Sequence, residues 1–436
     1  MSTLAPLASN FPLKPLKFIA PMRGEKVDAV PADGEYLGLE QLESWSGRLS
    51  GVELQQPPEG GANVFCEGDV LFGKLRPYLA KGWVAERSGF CTTESLVLAP
   101  LDVDARFVRY CLLTHEVISA VDGSAFGSKM PRADWGFIGS VRLPAPSRAD
   151  QERIANFLDD KTARIDALIT EKERLLSTLV EWRAAELARI VFGEDLPQVP
   201  TKNLWIPALP EGWELVRLKH LVIGIEQGWS PECEARLADE GEWGVLKAGA
   251  ANSGAYREDE HKALPLTLQP IPELEVKPGD VLITRASGTA DYVGSFAYVY
   301  STRPKLMLSD KNFRLCFGPE PRLLPELLAW MCNTRALREQ VLQYVSGADG
   351  LAKNIGSGNL RELWLAVPSL NDQQKIVREL HVRRGQLDDI EQHLVEHIAR
   401  LREYRSSLIS AAVTGQLEFG TVEGAHRRLL ENALPA

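Results

Sequence analysis

The chain has 436 residues, 44% of them hydrophobic and 25% charged, which supplies two cores of ordinary domain size and excludes a disordered chain. A net charge of −10 excludes a broad basic coat, so any nucleic-acid contact has to be local. No apolar run reaches about 18 residues and Met1 to Ala5 lack the basic and apolar regions of a signal peptide, so a cytoplasmic protein with no membrane partner is expected.

Residues 1–146 read as short strands and turns with a few helices. Pro57-Pro58 and Gly60-Gly61 separate strand-like runs such as Val70-Leu71-Phe72 and Ser95 to Leu98. After Pro144-Ala145-Pro146 the period changes to that of a long helix over 147–193, opening on Ser147-x-x-Asp150, which resembles a capping box. Its apolar residues Ile154, Leu158, Ile165, Leu168, Leu175, Leu179 and Trp182 recur in steps of three, four and seven and predict a packed seam. Residues 194–208 form a proline-rich linker (Pro197, Pro200, Pro207) unsuited to helix. A second α/β domain spans 209–368. A second long helix follows over 369–417, opening on Ser369-x-x-Asp372, with seam residues Ile376, Leu380, Leu387, Ile390, Leu394, Leu401 and Tyr404. Gly193 and Gly415 end the two helices, where a left-handed cap is least strained, and a tail completes the chain over 418–436.

The chain is internally repeated. Ser124 to Trp182 realigns on Ser346 to Tyr404 with a shift of 222 residues, matching Pro146-Ser147 to Pro368-Ser369, Gln151 to Gln373, Leu158 to Leu380 and Arg183 to Arg405. Gly68-Asp-Val-Leu71 likewise repeats as Gly279-Asp-Val-Leu282. The expected fold is a tandem duplicate of α/β (α+β) globular domains separated by two long helices, which pair as an antiparallel coiled coil in a pseudo-two-fold molecule.

No chemistry-bearing motif stands out. The chain lacks a phosphate loop, a G-x-G-x-x-G turn and the Asn/Asp-Pro-Pro-aromatic motif with which an amino-methyltransferase holds a flipped base. The six cysteines (Cys66, Cys91, Cys111, Cys233, Cys316, Cys332) form no C-x-x-C pair and read as reduced, partly buried thiols. His393-Leu-Val-Glu396-His397 matches the H-x-x-E-H pattern of zinc peptidases, but it sits in the heptad seam and its duplicate, Glu171 to Leu175, has no histidine. No metal and no cofactor are expected.

Two variable domains, each followed by a long helix that starts through Pro-x-x-x-x-Gln-x-x-Ile (Pro146 to Ile154 and Pro368 to Ile376), resemble the specificity subunits of type I restriction-modification enzymes. Leu209-Pro-Glu-Gly-Trp213, Gly68 to Tyr78 and the tail Arg405 to Leu417 extend the resemblance over nearly the whole chain. It implies a non-catalytic subunit whose two target recognition domains each read half of a split, asymmetric site in double-stranded DNA, the helices fixing the unread spacer. The implied partners are methyltransferase subunits and a motor-nuclease subunit, and these use S-adenosylmethionine, ATP and magnesium. The rival expectation is a coiled-coil adaptor that binds proteins and no DNA.

Base readout needs Arg, Lys, Asn or Gln at base edges, and phosphates need Lys, Arg, Ser or backbone N–H groups. The first domain offers Lys74, Arg76 and Tyr78 after its Gly-Asp turn, and Ser128, Lys129 and Arg132 in a basic loop. The second offers Arg285 and Ser287, then Lys311-Asn312, then Lys353-Asn354. Between Val281 and Arg361 basic residues outnumber acids by ten to six, so the acidity is not uniform.

Overall fold

The computed structural model describes residues 6–32, 34–52, 60–347 and 352–417, so Pro57, Pro58 and the tail 418–436 lie outside the described residues. The chain divides into two compact units, Met1–Arg174 with His393–Ala436, and Leu175–Gln392. Each unit thus holds one domain together with one end of each long helix.

In the first unit the strand Val70–Gly73 lies between Gly82–Val84 and Ser95–Leu98, antiparallel to both. Every residue of Val70–Gly73 and Ser95–Leu98 is buried, as expected of short unbroken apolar runs. The chain turns into the first of them through Gly68 at φ 85° and Asp69, whose carboxylate accepts the Cys66 N–H at 2.7 Å and the Arg23 Nε–H at 2.8 Å. A four-stranded sheet orders Lys26–Val27, Ala62–Phe65, Gly89–Cys91 and Tyr36–Leu37. Phe65 and Trp83 meet edge to face at 6.1 Å in the core between them. Leu13–Pro15 pairs with Arg142–Pro144, the last strand before the long helix.

The second unit repeats this wiring. Val281–Thr284 lies between Phe296–Tyr298 and Asn312–Cys316, with Gly224–Gln227 added beyond the latter. Gly279 has φ 97°, and Asp280 accepts the Lys277 N–H at 2.9 Å. Glu214–Arg217 pairs with Trp364–Val367 just as Leu13–Pro15 pairs with Arg142–Pro144. The proline-rich segment is a ribbon: Gln198–Pro200 pairs antiparallel with Ala208–Pro210, and the Asn203 side chain accepts the N–H groups of Trp205 and Ile206 to close the turn. Proline is tolerated there because both strands are edges.

The long helices are Arg148–Phe192, 45 residues, and Leu370–Val413, 44 residues, each about 67 Å at 1.5 Å per residue. Ser147 and Asp150 cap the first reciprocally, the hydroxyl accepting the Asp150 N–H at 3.3 Å and donating to its carboxylate at 2.7 Å. Ser369 and Asp372 repeat the arrangement. Gly193 at φ 60° and Gly415 at φ 72° end the helices, and a Cβ at Gly415 would meet the Phe11 ring at 2.7 Å.

The repeated glutamine explains the shared helix start. Buried Gln151 accepts the Asp104 N–H at 2.9 Å and donates to the Pro146 carbonyl at 2.9 Å. Buried Gln373 accepts the Leu324 N–H at 2.8 Å and donates to the carbonyls of Pro368 and Arg322. Asp104 and Leu324 are the N-caps of Ala105–Leu112 and Pro325–Cys332, so one amide locks a short helix to the first turn of a long one.

Within the first unit the two long helices run in opposite directions, with Arg405 on Asp166 at 2.8 Å and Arg402 on Glu173 at 2.7 Å. Within the second they do the same through Arg183 on Asp388 at 2.5 Å and Arg383 on Glu186 at 3.1 Å. The seam is not the one expected from the apolar residues alone. Ile154, Leu158, Ile165, Ile376, Leu380 and Leu387 are buried, and Leu179, Leu394, Leu401 and Tyr404 are half-buried, but Leu168, Leu175, Trp182 and Ile390 are exposed. The buried and half-buried row keeps Ile165 and Leu179 but otherwise runs through Thr162, Ile169, Leu176, Arg183, Glu186 and Ile190, in steps of three, four and seven. It admits polar residues because each finds a partner: Thr162 donates to the Leu158 carbonyl, and Arg183 and Glu186 are ion-paired.

All six cysteines are free, and burial pushes the Cys91 thiol up to about 12. Among the described residues no helix is long and apolar enough to cross a membrane.

Replacing Gln151 or Gln373 by leucine leaves a buried N–H and carbonyl unpaired, so each substitution is expected to cost roughly 2–4 kcal/mol. The urea midpoint of the affected unit's transition measures it, and a shift equivalent to under about 0.5 kcal/mol would refute the assignment.

Candidate nucleic-acid interface

Beyond each Gly-Asp-Val-Leu strand the chain builds the same small ribbon. In the first unit the Lys74 N–H donates to the Glu94 carbonyl at 2.9 Å, and the Lys74 carbonyl accepts the Ala133 N–H at 3.0 Å. Leu75 bridges Arg132, the Arg76 N–H donates to the Pro131 carbonyl at 2.7 Å, and Phe126 and Arg132 exchange both backbone hydrogen bonds. In the second unit the Arg285 N–H donates to the Lys311 carbonyl at 2.8 Å, and its carbonyl accepts the Ile355 N–H at 3.0 Å. Ala286 pairs with Asn354 and Ser287 with Lys353, and Ser346 and Asn354 exchange both backbone hydrogen bonds. Position by position, Lys74 matches Arg285, Arg76 matches Ser287, Glu94 matches Lys311 and Arg132 matches Asn354.

The ribbon gathers the expected residues of the first domain on one edge. Arg76, in the left-handed conformation at φ 49°, is exposed, as are Tyr78, Ser128 and Lys129, while Lys74 is half-buried. Arg132 is held: its Nε and Nη2 donate to the Glu94 carboxylate at 2.9 to 3.1 Å. Glu94 lies 38 residues away, so no local spacing signals this pair. Phe126 and Met130 are exposed beside Lys129, apolar residues that no polar pattern signals.

The second domain departs further from expectation. Asn312 is fully buried, its amide donating to the Lys247 carbonyl at 2.9 Å and to the Ser309 hydroxyl at 3.0 Å, so it braces the sheet and faces no ligand. It is the first residue of a central strand, and only Lys311 before it is exposed. Arg285 is half-buried, donating to the Asp310 carbonyl at 3.0 Å with its guanidinium 5.8 Å from the Phe313 ring. The Ser287 hydroxyl accepts the Thr289 N–H, and the Lys353 ammonium donates to the Gly347 carbonyl at 2.7 Å. The loop 346–354 is two residues longer than 126–132, so Lys353 matches Pro131 and not Lys129. Lys311, Ser287, Lys353 and Asn354 still line one edge with Arg285 at its base.

The histidine motif stays within the helix seam. His393 is exposed, Leu394 and His397 are half-buried, and burial and the nearby Lys172 depress the His397 pKa. Among the described residues no cluster of three or more histidine, cysteine and acidic side chains could hold a metal.

The chain is 36% identical to the EcoEI specificity subunit of Escherichia coli, a type I restriction enzyme component, with the match covering 73% of this chain and 67% of that protein. It belongs to the type I restriction specificity subunits. The EcoKI specificity subunit of Escherichia coli strain K12 is 22% identical over 72% of this chain and 65% of its own length, so the subunit spans about two thirds of these relatives. No family model matches the chain. A chain solved in a study of complex assembly and conformational transition of the type I R-M system superposes with a TM-score of 0.71 at 18% identity, covering 94% of the subunit and 99% of that chain. The HsdS subunit from Thermoanaerobacter tengcongensis superposes at 0.54 and 17% identity, covering 94% and 98%. The fold is shared even where sequence has diverged widely.

Replacing Asn312 by alanine in the subunit is expected to lower stability by roughly 1–3 kcal/mol, because the Lys247 carbonyl loses a buried donor. The urea midpoint measures it, and a shift equivalent to under about 0.5 kcal/mol would refute the bracing role.

Proposed function

We propose that the subunit reads a bipartite, asymmetric sequence in double-stranded DNA and performs no chemistry itself. On this reading residues 1–146 and 209–368 are the two target recognition domains, each taking one half-site, and 147–193 and 369–417 are the spacer helices. Methyltransferase subunits dock and are placed over adenines, and a motor-nuclease subunit joins them. Those partners bring S-adenosylmethionine, ATP and magnesium, and the complex works in the cytoplasm. The observation that carries the reading is one backbone ribbon built twice with different side chains on its edge, as two readers of different sequences require. Among the described residues nothing favours the adaptor reading.

The same reading takes the long helices as an antiparallel coiled coil in a pseudo-two-fold molecule. Asp388 and Arg405 lie 222 residues after Asp166 and Arg183, so the Arg405–Asp166 and Arg183–Asp388 pairs are one contact made twice with the partners exchanged. That reciprocity supports a ruler of fixed register.

Long-read methylation sequencing of a methylation-free host carrying the subunit with its native methyltransferase subunit tests the reading. A modified adenine in a split, asymmetric motif is expected, and no motif from an assembled complex would overturn it. Removing one heptad from each long helix at matched positions should shorten the accepted spacer while both half-sites persist, and an unchanged spacer would refute the ruler. Replacing Lys129 by alanine should weaken binding at all sequences alike and lower the salt slope by about one. A steeper or unchanged slope would place Lys129 away from phosphate.

A further inference from the structure

We infer that Arg132, positioned by Glu94, reads a guanine in the half-site of the first domain. The inference rests on the DNA-reading function proposed above and names the residue couple and the base.

The geometry of the guanidinium carries it. Nε and Nη2 are spent on the Glu94 carboxylate, with Nε 3.1 and 3.0 Å from its two oxygens and Nη2 2.9 Å from one, and Nη1 lies 3.3 Å from the Met130 carbonyl. One N–H on each terminal nitrogen is left without a partner among the described residues. A guanidinium gripped along its Nε edge by a carboxylate loses its rotational freedom and keeps a donor pair for a second planar acceptor. Guanine presents such an acceptor pair, O6 and N7, in the major groove. Arg132 is also placed to reach it, half-exposed on the ribbon edge beside exposed Arg76, Lys129 and Met130.

A purely structural role for the pair is at odds with the duplicate. The second unit keeps the ribbon's backbone hydrogen bonds with Lys311 in place of Glu94 and Asn354 in place of Arg132. The ribbon therefore folds without the ion pair, and a half-exposed pair adds little stability. What the pair supplies is a directed donor fork at one position of one domain. The second domain has no fork there, and an asparagine at that place suits adenine.

The test compares methylated motifs from a methylation-free host expressing the native methyltransferase subunit with wild-type subunit, Arg132→Ala, Arg132→Lys or Glu94→Ala. The wild-type motif is expected to hold a G·C pair in the first half-site whose specification is lost in Arg132→Ala. Discrimination at that pair should fall roughly 10- to 100-fold while the other half-site stays intact. Arg132→Lys keeps charge and bulk but loses the fork, and should relax the same pair. Glu94→Ala leaves Arg132 in place but ungripped, and should relax it less. A first half-site read as strictly by Arg132→Lys as by wild type, or relaxation spread over both half-sites, would overturn the assignment. Should Arg132→Ala give no methylation, the lysine variant and Glu94→Ala decide. Absence of any motif from the wild-type complex would instead sink the proposed function itself.

Discussion

A single buried amide fixes the direction in which each long helix leaves its domain. Gln151 and Gln373 each tie a carbonyl of the strand-to-helix turn to the N-cap N–H of a neighbouring short helix. The groups they satisfy are backbone atoms that no regular ladder pairs, and leaving them buried and bare would cost more than one ordinary hydrogen bond contributes. The helix is thereby anchored to the same sheet that carries the ribbon edge. Everything a rigid helix is asked to do at its far end depends on that first turn holding.

The polar residues in the seam follow from the same demand for a single register. An all-leucine seam of this length would slide by a heptad at little cost, whereas Arg183 moved by a heptad would face His381 or Val395 in place of Asp388. Arg183 and Arg405 each meet an aspartate that is the duplicate of the other's. Their contribution to stability is modest, because the charges remain partly solvated.

Much of this architecture is legible in the sequence. The 222-residue repeat shows in aligned identities, and the Ser-x-x-Asp caps, the terminal glycines and the Gly-Asp turns are local patterns whose physics is complete within a few residues. The phase of the seam is not legible from apolar identity, because Leu168, Leu175 and Trp182 keep a heptad spacing yet are exposed, while the polar Thr162, Arg183 and Glu186 take seam positions. Asn312 reads as a ligand contact beside the exposed Lys311, but it opens a central strand on which it and Phe313 are both buried, and nothing local marks that strand as covered on both faces. Glu94 was invisible for a different reason: its partner is brought to it by strand pairing, and tertiary contacts between polar residues leave no periodic trace.

An acidic chain can still grip a polyanion if its cations are distributed unequally between structure and surface. Many arginines are already engaged: Arg23 with Asp69, Arg236 with Glu242 and Arg314 with Glu226 and Asp280. Arg76 and Lys129 are exposed on the ribbon edge and make no ion pair among the described residues. A reader whose phosphate contacts are few releases few counterions, so its nonspecific affinity is weak and its salt dependence shallow. For a reader of long, split sequences that weakness is useful, because discrimination is the difference between specific and nonspecific binding and is largest when the nonspecific term is small.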